Sequence, residues 1–102
     1  MPTPQQIQDI ADAAVAFGIA KKAFVDVQAA VGRCDAILNA SQDLINAMAA
    51  DGASADQWTA VYLGRLETQT VRAGRVETYS AANDALTTAQ TELDAALAAA
   101  ST

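Results

Sequence analysis

Asp9 and Asp12, three residues apart, and Glu92 and Asp94, two apart, come nearest to a constellation that could do chemistry. Paired carboxylates can act as acid and base or hold a hard cation. Positions three apart share a helix face, yet an acid pair on a helix surface is ordinarily just solvated. Nothing else in the chain joins either pair. There is no histidine and one cysteine, Cys34, which removes His-dependent triads, Cys-His nucleophiles and ordinary zinc sites. The five glycines form no G-x-G-x-x-G and no Walker-type loop, so no phosphate cradle is visible. The expectation is a protein that is not an enzyme, with no catalytic, cofactor-binding or metal-binding residues, no cofactor and no small-molecule substrate.

The elements that position these residues follow from composition. The chain has 102 residues, 52% of them hydrophobic, and about half of those are alanine, a long-helix composition with few large side chains for a core. That length is one domain, residues 1–102. Both prolines, Pro2 and Pro4, lie at the N-terminus, and the scattered glycines do not punctuate the chain into short strands. The fold class expected is all-α. A net charge of −6 disfavours nucleic acid and anionic membrane as partners, since both attract basic surfaces. The opening MPTPQQIQDI lacks a secretory signal's basic flank and apolar run, and no run reaches the ~18 apolar residues of a membrane span. A soluble protein, cytoplasmic or within a particle, is the expectation.

Two helix starts share one signature. Thr3-Pro4-Gln5-Gln6 supplies an N-cap hydroxyl, a proline at the first helical position and a glutamine three residues after the cap. Ser54-Ala55-Asp56-Gln57 repeats cap and glutamine, with Gly52 ahead of it where a left-handed residue ends a helix. The spacing predicts helix A over about 4–50, a turn over about 51–54 and helix B over about 55–99. So short a turn between long helices requires an antiparallel hairpin. A three-helix fold broken at Gly18 is the alternative. Folding back at the turn opposes residues whose numbers total about 105, which would set Gly32 near Gly74, Ser41 near Gly64 and Lys21 near Asp84.

In helix A, Ile10, Ala13, Phe17, Ala20, Phe24, Val27, Val31, Cys34, Leu38, Ser41, Ile45 and Met48 alternate in steps of three and four, a heptad seam. On that seam Cys34 behaves as a small buried apolar group; the other reading is an intermolecular disulfide near a two-fold axis in an oxidising setting. In helix B the same alternation from Trp58 runs through Tyr62, Arg65, Gln69, Arg72, Val76, Tyr79, Asn83, Leu86, Gln90, Leu93, Leu97 and Ala100, polar in its middle. Trp58 and Tyr62 are read as closing the end of the core, the alternative being an exposed aromatic handle.

Apolar residues are left over. Ile37, Leu44, Leu63 and Leu66 lie off both seams, and a two-helix hairpin cannot bury so wide an apolar arc by itself. Arg33, Arg65, Arg72 and Arg75 have no acidic residue three or four positions away, so their partners lie across the hairpin or on another chain. The partner-interface candidates are therefore Ile37, Leu44, Leu63, Leu66, Arg65, Arg72 and Arg75. The echo between LGRLET at 63–68 and AGRVET at 73–78 is no repeated surface, because ten residues turn the second copy by about 80°.

These features point to a structural or assembly protein that completes a three- or four-helix bundle with copies of itself or with a larger partner. A small component of a multi-subunit particle such as a phage virion fits that class. A cytoplasmic adaptor for one helical partner also fits. In length, paired helices and a tryptophan near the central turn the chain resembles the WXG100 family of type VII secretion substrates, and the resemblance implies a secreted helical-hairpin protein. It departs from the family's motifs: Thr59-Ala60 follows Trp58 where the family has any residue and then glycine, and Asn83 follows Tyr79 at the place of the family's acidic residue.

Overall fold

A computed structural model describes residues 1–101. It contains two helices, α1 (Pro4–Asp51) and α2 (Ala55–Ala100), paired as an all-α antiparallel hairpin. The capping signatures act as their chemistry dictates. Thr3 N–H donates to Gln6 Oε1 at 2.8 Å while Gln6 N–H donates to Thr3 Oγ1 at 3.1 Å. Ser54 and Gln57 repeat this reciprocal pair at 2.8 and 3.2 Å. Each box satisfies two backbone donors that a helix start leaves without partners. Gly52 ends α1 with φ of 80°, and its N–H donates to Met48 O at 2.9 Å. That single bond is the left-handed termination that glycine adopts without a Cβ penalty. α1 runs unbroken through Gly18 and Gly32, so the three-helix alternative does not form.

Two compact units make up the chain. One joins residues 1–27 to 78–102, and the other is the stretch 28–77 that contains the turn. In the first unit Gln6 Nε2 donates to Ala99 O at 3.1 Å, and the Phe24 and Tyr79 rings lie 5.0 Å apart between centroids. In the second, Arg72 pairs with Asp35, and Arg65 bonds to Leu38 O and Ser41 Oγ. The numbers in each pair total within two of 105, the expected register.

The α1 seam is as the spacing predicts: every position from Ile10 to Met48 is buried or half-buried. The α2 seam is half corrected. Trp58, Arg65, Arg72, Tyr79, Leu86, Leu93 and Ala100 are half-buried, but Tyr62, Gln69, Val76, Asn83, Gln90 and Leu97 are exposed. The second lane is instead Val61, Thr68, Ala82, Ala89 and Ala96. The large residues of the interface, Phe17 and Phe24 on α1 and Tyr79 and Leu86 on α2, lie along one lane of α2, and the lane beside it is mostly alanine. The lane carrying Gln69, Asn83 and Gln90 stays in water, where amides keep their hydrogen bonds.

The register that sets Gly32 by Gly74 and Ser41 by Gly64 brings no tight contact at the glycines. A methyl group added at Gly18, Gly32, Gly64 or Gly74 would meet no atom within 4 Å, so no close backbone approach depends on them. Lys21 forms no ion pair with Asp84; Lys22 instead pairs with Asp26 at 2.9 Å on the exposed surface of α1.

Candidate interaction surface

Among the described residues only Val27, Cys34 and Ala89 are buried, each 7% exposed. Large apolar side chains stand exposed in water. Ile37, Leu44, Leu63 and Leu66 are 55, 49, 60 and 59% exposed.

These four do not form one patch. Ile37 and Leu44, seven residues apart on α1, lie on one flank of the 28–77 unit. There they line a groove of about 360 Å³ whose α2 wall is Ala60, Val61, Gly64, Arg65, Glu67 and Thr68. Leu63 and Leu66 do not line it. At 100° per residue they stand about 160° and 100° around α2 from the seam residue Arg65, facing away from α1. A second groove, of about 320 Å³, is lined in the other unit by Phe17, Lys21, Leu86, Thr87, Gln90 and Thr91.

The arginines divide as well. Arg65 occupies a seam position, lays its stem between the helices and donates through one guanidinium nitrogen to Leu38 O at 3.1 Å and Ser41 Oγ at 2.8 Å. The Ser41 hydroxyl donates to the same carbonyl at 2.8 Å. The serine in the α1 seam thus joins a three-membered polar bridge, a role its spacing alone did not suggest. Arg72 Nε bonds to Asp35 Oδ1 at 2.5 Å, and this hydrogen bond, reinforced by the carboxylate's charge, raises the guanidinium's pKa above its ordinary value. Arg65 and Arg72, in the polar middle of α2, therefore face α1 and are answered there. Arg33 and Arg75 have no such partner among the described residues. At the turn, Trp58 is half-buried and stacks at 5.8 Å on Tyr62, which is 55% exposed, so one ring closes the core and the other faces water.

Replacing Arg65 by methionine keeps the apolar stem and removes both hydrogen bonds. A loss of about 1 kcal/mol in urea unfolding is expected, against a change within ~0.5 kcal/mol for Arg75→Met. Equal losses would show that the bridge contributes nothing.

Cys34 is a free, buried thiol on the seam. No three histidine, cysteine, aspartate or glutamate side chains converge on a point among the described residues. No helix is long and apolar enough to cross a membrane. The protein is thus a two-helix hairpin with a slender seam and an open apolar flank. Set against models of known protein families, curated proteins and solved structures, the chain matches none.

Proposed function

We propose that the chain is a non-enzymatic assembly protein whose hairpin is one part of a larger helical bundle. The observation that carries this reading is the apolar flank of the 28–77 unit, where Ile37 and Leu44 stand half in water along a groove whose opposite rim includes Ala60 and Gly64. Burying one such side chain is worth roughly 1.5–3 kcal/mol, a large share of the 5–15 kcal/mol typical of a whole domain. Three buried residues make a thin core, and a neighbouring helix on this flank supplies the missing cover. A small structural component of a multi-subunit particle, such as a virion, is the form of this reading that the acidic, alanine-rich composition supports.

The test compares two double substitutions by sedimentation equilibrium and circular dichroism. Ile37→Gln with Leu44→Gln is expected to lower the mass of the assembly and leave helix content close to wild type. Phe24→Gln with Leu38→Gln, on the seam, is expected to unfold the hairpin itself. If the Ile37/Leu44 variant keeps the wild-type mass and every association of the wild type, the flank is not an interface and the reading fails.

A further inference from the structure

The groove's two walls differ in size. Half-buried Ser41, Val61, Arg65 and Thr68 form its floor; the exposed rim on α1 is Ile37 and Leu44, and the exposed rim on α2 is Ala60, Gly64 and Glu67, with a methyl group added at Gly64 meeting nothing within 4 Å. Arg33 lies one turn before Ile37 on the same side of α1, and Glu67 lies on the α2 wall itself. Both are exposed, and neither has an ion-pair partner among the described residues. Arg65, the other charged residue lining the groove, is engaged with Leu38 O and Ser41 Oγ, which leaves Arg33 and Glu67 as exposed charges of opposite sign, one on each wall.

We propose that the groove is filled by the same groove of a second copy of this chain, the copies related by a two-fold axis parallel to the helices. The inference rests on the reading above that this flank is an interface. Such an axis lays α1 of each copy over α2 of the other. Ile37 and Leu44 then enter the space over the partner's Ala60 and Gly64, large against small at both halves of the contact. A two-fold axis perpendicular to the helices would set large on large along α1 and small on small along α2, leaving one half crowded and the other hollow. Charge selects the same arrangement. The register of about 105 places Glu67 level with residue 38, about 7 Å along the axis from Arg33, within reach of two extended side chains. The parallel axis faces each Arg33 with Glu67 of the partner subunit, twice, whereas the perpendicular axis lays like walls on each other in opposite directions and leaves Arg33 and Glu67 on different walls without each other. The 28–77 unit also holds four arginines against six acidic residues, where the other unit holds two lysines against six. Self-association thus meets less repulsion in this unit than in the other.

Sedimentation velocity on the full chain at roughly 100 µM, where even a micromolar dimer is populated, tests the assignment. Arg33→Glu and Glu67→Arg are each expected to weaken the dimer about tenfold, and the two together to restore it, because the pair is rebuilt with its signs exchanged. Gly64→Leu fills the groove from within and is expected to give a monomer of undiminished helix content. A monomeric wild type, a dimer indifferent to the single reversals, or a double reversal that fails to recover association overturns the second-copy assignment. The interface reading is separable. If the wild type is monomeric in isolation but binds a different chain, and Ile37→Gln with Leu44→Gln abolishes that binding, the flank stands as an interface with another occupant.

Discussion

Phe24→Ala is expected to destabilise the hairpin by about 2–3 kcal/mol. Phe24 belongs to the α1 seam, and its ring meets Tyr79 of α2 with centroids 5.0 Å apart and planes tilted by 40°. Truncation removes the transfer free energy of the ring, leaves a gap that helices can close only in part, and forfeits the aromatic pair. Full burial would put the loss at 3–5 kcal/mol. Phe24 is only half-buried, which brings the expectation down. Few other residues bridge the helices so broadly, and a ledger with three buried side chains has little in reserve. Urea unfolding followed by circular dichroism reads the loss directly. A change below about 0.5 kcal/mol, the range of an ordinary surface site, would mean that Phe24 does not hold the helices together.

A pair of neighbouring substitutions on α2 separates its two possible seams. Ala89 is 7% exposed, and glutamine there must either bury an amide or push the helices apart, a cost of about 2–4 kcal/mol. Gln90, the next residue, is exposed and donates at 2.9 Å to Asp94 one turn on. Gln90→Ala gives up that surface bond for a residue of higher helix propensity, and a net change within ~0.5 kcal/mol is expected. Thermal or urea midpoints of the two variants suffice. A costly Gln90→Ala beside a harmless Ala89→Gln would return the seam to the lane of Tyr62, Gln90 and Leu97.

Much of the fold is legible in the residues alone because its determinants are local. A hydroxyl with a glutamine three residues later satisfies the same backbone donors wherever it occurs, so both helix starts can be read without a partner in view. Gly52 marks the end of α1 for an equally local reason, since only a residue without a Cβ takes a φ of 80° freely. The seam of α1 is legible because its apolar positions follow a single phase from Ile10 to Met48, and the register follows from a short turn between helices of nearly equal length.

The seam of α2 was decided by tertiary packing. The lane through Trp58, Arg65, Arg72, Tyr79, Leu86 and Leu93 repeats every seven residues, and a seven-residue repeat fits a helix whether the second lane lies three or four positions on. Read by size, Tyr62, Val76 and Leu97 favour one choice; read by space, the bulk that α1 brings to the interface favours alanine and the other. Only the rotation of one helix against its neighbour chooses, and that rotation is a property of the pair. The same holds for the polar centre. Residue spacing shows that Arg65 and Arg72 lack partners on their own helix, because that is a matter of three- and four-residue steps, but Ser41, Leu38 O and Asp35 become their partners only when α1 lies alongside. It holds too for Ile37, Leu44, Leu63 and Leu66. Their apolar character and their distance from the seams are in the sequence, while their division between one groove and the far side of α2 follows from how the two helices turn toward each other.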